Sequence, residues 1–219
     1  QLVKSDEGTA QGNIISPVLA NIYMHNVLTL WFQYIIAKEC KGECFLVVYA
    51  DDFIAGFQYP WEAERFYEQL RSRMAKFGLE LEENKSRIVE SGRYLASLKA
   101  KRGESTRLGT FDFLGFTFYC GRTTSNPWIM PKTSSKKFRQ KVKEIKIWLY
   151  NNKEQKLGRL MYMLNVKLVG HYRYYGISFN SRMISNYKQQ VRELLYKVLN
   201  RRSEKKSYTR EGFIEMMKY

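Results

Sequence analysis

The chain has 219 residues, 44% hydrophobic and 26% charged, the proportions of a folded globular protein with a core large enough for one large domain or two small ones. Lys+Arg number 37 against 21 Asp+Glu, a formal net charge of +16 that points to a polyanionic partner, either nucleic acid or an anionic membrane. The cysteines, Cys40, Cys44 and Cys120, are odd in number and irregularly spaced, which argues against a disulfide framework and fits a reducing compartment; with only His25 and His171 to help, a four-ligand zinc site is hard to assemble.

In chain order, the first long apolar segment, residues 8–37, carries no formal charge and is long enough to span a bilayer. Gln11, Asn13, Asn21, His25, Asn26 and Gln33, with Pro17, are too polar for lipid, and a helix buried in protein is expected instead. Ser16 is expected to cap it with Pro17 at its first position, and Leu19, Ile22, Tyr23, Val27 and Leu30 recur at helical spacing. Phe45 to Tyr49 and Phe53 to Gln58 then read as strands, with Ala50, Asp51 and Asp52 in a tight hairpin turn between them. An amphipathic helix follows from Pro60, with Glu62 and Glu64 in its first turn, Ala63, Phe66, Leu70, Met74 and Phe77 on its apolar stripe, and Gly78 as its stop.

Strand character returns at Arg87 to Val89, with Lys85 at its mouth, and Gly92 to Gly109 reads as a basic boundary loop. The alternation Phe111, Phe113 changes phase at Gly115 and resumes at Phe116, Phe118, which predicts a bulge or a hairpin. From Ser134 the period is helical. The first helix has Phe138, Val142, Ile145 and Leu149 on one stripe, a second covers "KLGRLMYMLNVKLVGHYRYYG", and a third turns Ile184, Tyr187, Val191, Leu194 and Val198 inward. The expected class is α+β: an antiparallel sheet with packed helices over 1–130, then a basic helical bundle over 131–219. Charge divides along the chain, with 10 basic and 13 acidic residues through Leu98 but 27 basic and 8 acidic from Lys99. The second part is therefore expected to bind a polyanion, with Lys136, Lys137, Arg139, Lys143, Lys146 and Arg173 as candidate nucleic-acid contacts.

Adjacent carboxylates at a hairpin turn can hold Mg²⁺ for phosphoryl transfer or can simply form the turn. A glycosidase pair would have to flank a sugar, and neighbours on one hairpin diverge too much for that. The basic setting favours metal.

Four segments, "GTAQGNIISPVLANIYMH", "VVYADDFIAGF", "LELEENKSRIVE" and "FDFLGFTFYC", resemble in order and spacing the palm of a reverse transcriptase. "LVGHYRYYGISFN" and "LNRRSEKKSYTREGF" resemble the thumb of bacterial group II intron reverse transcriptases, also called maturases. The resemblance implies a right-hand polymerase palm followed by a helical thumb, acting on an RNA template (group II intron RNA) with a DNA primer, dNTPs and two Mg²⁺ ions, with no membrane, in a bacterial cytoplasmic ribonucleoprotein. By the same resemblance Asp51 and Asp52 are the metal-binding and catalytic carboxylates and Lys85 reaches the leaving pyrophosphate. Gln11, Gly12, Tyr49 and Ala50 would line the nucleotide and primer-end pocket, and Phe113, Leu114, Gly115 and Phe116 would grip the primer. Ala10, Asn13, Thr29 and Val48 depart from the family's usual residues, none of them a ligand. A further metal-binding Asp and the fingers are expected on a missing N-terminal half, so the chain by itself is expected not to polymerise. The alternative is a maturase that binds intron RNA and aids splicing without polymerase chemistry.

Overall fold

The computed structural model describes residues 15–104, 108–122, 127–202 and 208–217. Two compact units divide between Glu90 and Ser91.

The first unit begins with a helical run, α1 (Ser16–Met24), π-helical stretches His25–Thr29 and Phe32–Ile36, and the short α2 (Ala37–Glu39). Ile15, not Ser16, is the N-cap residue, and no side chain caps the helix. Pro17 carries the entry without it, since its fixed φ suits the first turn and its nitrogen needs no partner. None of the residues of α1 is buried; Leu19, Ile22 and Tyr23 are exposed, and the inward face starts only at Val27.

Strands β1 (Cys44–Tyr49) and β2 (Asp52–Phe57) pair antiparallel from Cys44↔Phe57 to Tyr49↔Asp52. Their inner face, Leu46, Val48, Phe53, Ala55 and Phe57, packs on a core of Val27, Leu28, Trp31, Phe32 and Ile36 with Phe66, Leu70 and Met74 of α3 (Pro60–Lys76). The outer face leaves Phe45, Val47 and Tyr49 exposed, the alternation a one-sided sheet requires. Gly78, at φ 66°, ends α3 in a Schellman arrangement, with Leu79 N–H donating to the Met74 carbonyl at 2.9 Å. The strand expected at Arg87–Val89 does not form: residues 79–92 run as turns and irregular backbone.

In the second unit the expected basic loop contains a helix, α4 (Arg93–Lys101), set between Gly92 and Gly103 at φ 123° and 69°. A three-stranded antiparallel sheet follows in the order β3 (Phe111–Phe113), β4 (Phe116–Arg122), β5 (Pro127–Thr133). The phase change at Gly115 is thus a hairpin. β5 carries Pro127 and Pro131 and occupies an edge, where a missing ladder N–H costs nothing.

The helices α5 (Ser135–Asn151), α6 (Leu157–Tyr175), α7 (Ser181–Leu199) and α8 (Arg210–Met216) enclose a core of Ile145, Leu149, Leu160, Leu164, Tyr187, Val191, Leu195, Val198, Leu199 and Phe213. Ser134 caps α5, its hydroxyl accepting from Lys137 N–H at 3.3 Å. On α7, Leu195 and Leu199 are buried while Leu194 packs at the margin, so the stripe is rotated slightly from the expected one. None of the described helices is long and apolar enough to cross a membrane.

Candidate functional site

The β1–β2 hairpin turns through two residues, Ala50 and Asp51, and Asp52 opens β2 opposite Tyr49. Ala50 holds φ 54°, a left-handed conformation that costs a residue with a Cβ about 1–2 kcal/mol. The ladder on either side imposes it. The result is that two carboxylates and the Tyr49 ring stand exposed together at the tip of a tight ribbon. Neither Asp51 nor Asp52 makes an ion pair with a described residue. Two like charges stand side by side here with no ionic partner among the described residues, an arrangement that a cation would neutralise.

Lys85 belongs to the same electrostatic neighbourhood. Its ammonium donates to Glu82 Oε2 at 2.5 Å, and that bond, then the charges of Glu82, Asp52 and Asp51, raise its pKa above the usual lysine value. Among the described residues no cluster of three His, Cys, Asp or Glu side chains assembles, so this hairpin offers two hard oxygen donors and no more. That donor set fits Mg²⁺, which takes one or two carboxylates and completes its octahedron with phosphate and water. Gln11 and Gly12 lie outside the described residues.

The far end of the ribbon is held by a residue that sequence reading placed as first-turn helix acidity. Glu62 is fully buried, and its Oε1 accepts from Lys41 N–H at 2.6 Å and Gly42 N–H at 3.3 Å in the segment that feeds β1. Its only sequence signal is its position just inside a proline-started helix. The half-buried thiols of Cys40 and Cys44 share this corner; burial first, then the Cys44 hydrogen bond, pushes Cys40 up to about 11.

In the second unit Leu114 and Gly115, at φ 49° and 79°, turn the β3–β4 hairpin, the pair of positive values that matches the strands' twist in a type I′ turn. Phe116 is buried and stacks on Tyr174, whereas Phe113 is half-buried. Lys136, Lys137, Arg139, Lys143, Lys146 and Arg173 are all exposed; five line α5 and one lies near the end of α6. Asn180, which sequence reading passed over, is fully buried and joins the sheet to the helices. Its Oδ1 accepts from Thr133 N–H at 2.8 Å, and its Nδ2 donates to Thr133 Oγ1 at 2.8 Å and to the Tyr175 carbonyl at 2.7 Å.

Residues 2–118, just over half of the chain, match the model of the reverse transcriptase (RNA-dependent DNA polymerase) family. Residues 135–214 match the group II intron, maturase-specific domain. The chain therefore belongs to the reverse transcriptase family, in its group II intron reverse transcriptase/maturase form. No curated protein matches it.

Proposed function

We propose that this chain carries the catalytic carboxylate hairpin and a nucleic-acid-holding helical unit of an RNA-directed DNA polymerase that extends a DNA primer on intron RNA. The observation that carries the proposal is the exposed Asp51–Asp52 pair at a strained two-residue turn, with no ionic partner among the described residues. Backbone strain persists where surrounding structure over-determines it, and here it aims two carboxylates outward.

Asp51 and Asp52 would hold Mg²⁺, which supplies charge neutralisation at the attacking 3′ oxygen and the leaving pyrophosphate. A further carboxylate would complete a two-ion site. Tyr49 and Ala50, with Gln11 and Gly12, would face the primer end and the incoming dNTP; a side chain no larger than Ala50's methyl leaves room there. Lys85, its proton held by Glu82 and the aspartates, suits countercharge to pyrophosphate better than ready proton release. Phe113 to Phe116 would meet the primer strand. The exposed cations of α5, with Arg173, would follow phosphates; by role the palm would take in 1–130 and the thumb 131–219, a boundary that falls inside β5 and not at the division between the compact units.

A second reading has its own support, since the maturase-specific match covers the basic helices: RNA binding that assists splicing inside a ribonucleoprotein without polymerisation. Asp51→Asn, made in the open reading frame that encodes this chain, separates the two. Loss of a direct ligand should cut RNA-templated primer extension more than about 100-fold, beyond the usual cost of losing an outer partner, while RNA affinity stays. Unchanged extension contradicts the polymerase role. Intact splicing by the variant is expected under either reading, and loss of RNA binding would tie Asp51 to the fold instead.

A further inference from the structure

The tip of the β3–β4 hairpin is tethered from one corner of the second unit. The Tyr174 hydroxyl donates to the Leu114 carbonyl at 2.9 Å. The Tyr174 ring lies parallel to Phe116, centroids 5.8 Å apart and 16° between planes. Ser134 N–H donates to the Gly115 carbonyl at 3.0 Å, and Tyr175 packs on Phe116 at 5.3 Å. The Tyr175 hydroxyl sits so close to Gly115 that a Cβ there would lie 3.1 Å from it. Asn180 then fixes the corner itself through Thr133 and the Tyr175 carbonyl.

These tethers differ in kind. Tyr175 and Asn180 are buried, so their loss would disturb packing. Tyr174 is 53% exposed and stands outside the helical core. Its hydroxyl reaches one acceptor, the carbonyl of the residue at the very tip. Beyond the three ladder pairs of β3–β4 and the Ser134 bond to Gly115, the Tyr174 hydroxyl is what ties the Leu114 carbonyl to α6.

We propose that Tyr174 is a positioning residue for the primer strand: through the Leu114 carbonyl and the Phe116 ring it sets the place of the hairpin tip against which the primer end is held. The proposal rests on the assignment of Phe113 to Phe116 as the primer contact. Removing the hydroxyl alone loosens the Leu114 side of the tip while the Ser134 bond to Gly115, the ring stack and the core remain.

The test uses the full chain and a labelled DNA primer annealed to an RNA template with a recessed 3′ end, with dissociation followed by stopped-flow fluorescence. Tyr174→Phe should raise the dissociation rate roughly fivefold, the worth of one hydrogen bond. Tyr174→Leu, which also loses the stack, should raise it further. The midpoint of thermal unfolding and the affinity for single-stranded RNA should stay at wild-type values in Tyr174→Phe. Leu114→Gly, which keeps positive φ and removes the tip side chain, probes the hairpin directly. Faster release by Leu114→Gly with no change in Tyr174→Phe overturns the positioning role and leaves the hairpin assignment standing. No effect from Leu114→Gly, or no wild-type binding of the recessed duplex, overturns the assignment and the proposal with it. A fall in unfolding temperature in Tyr174→Phe that tracks the lost affinity makes Tyr174 merely structural and also overturns it.

Discussion

His171 shows how a single buried titratable group sets a stability profile. Its ring stacks on Tyr187 with centroids 3.7 Å apart and lies 4.7 Å from the Tyr175 ring. Burial, and then the Lys141 charge, lower its pKa from 6.5 to about 4. The folded protein therefore refuses a proton that the unfolded chain accepts. Stability is full above pH 6.5, declines as pH falls toward 4, and levels off below that. At about 1.4 kcal/mol per pH unit the loss approaches about 3 kcal/mol. Chemical denaturation at pH 7, 5.5 and 4 should show this decline, and His171→Phe should reduce it. An equal slope in the variant would assign the pH dependence to other groups. None of this was legible in the sequence, where His171 is one polar letter in "GHYRYYG". A stacking partner sixteen positions away on another helix leaves no local mark. Asn180 escapes for the same reason, since Thr133 lies 47 residues before it.

Elements were more legible where one rule governs them. Pro60 and Gly78 bracket α3, and the period of two gives way to an Ala-Asp turn at β1–β2. The β3–β4 turn makes the sharpest element-level prediction. Gly115 at φ 79° should not tolerate a Cβ, which would be strained and would meet the Tyr175 hydroxyl. Gly115→Ala should destabilise the second unit by about 1–2 kcal/mol, seen as a lower unfolding midpoint. An unchanged midpoint would mean that the turn relaxes to another type. Misread elements failed for identifiable reasons. The Gly and Ser content of residues 92–109 masks "YLASLKAK", good helix-forming residues whose flanking glycines are its ends rather than a loop's interior. Prolines at both ends of "PWIMP" hide β5, because composition does not reveal that a strand lies at an edge. At Arg87–Val89 the apolar residues are too few to make a face, and no partner strand meets them among the described residues.

Across the whole molecule, charge and chemistry are partitioned. The carboxylate ribbon belongs to the first unit, and residues from Lys99 onward carry more than the whole +16 net charge, since those before it are net acidic. Such an excess repels free divalent cations, so any ion that settles on this protein from dilute solution does so at a site with its own strong attraction. The order of motifs along the chain, legible without a structure, identified the family. How the two carboxylates are presented depends on the Ala50 turn, a property of the folded backbone. A manganese titration of the full chain, followed by paramagnetic broadening of its backbone amide resonances, tests most directly the proposal that this hairpin binds metal. At low manganese the signals of Tyr49 to Phe53 should broaden first, and Asp51→Asn should abolish that selectivity. Broadening that begins elsewhere, or that persists at the tip in Asp51→Asn, would contradict the account.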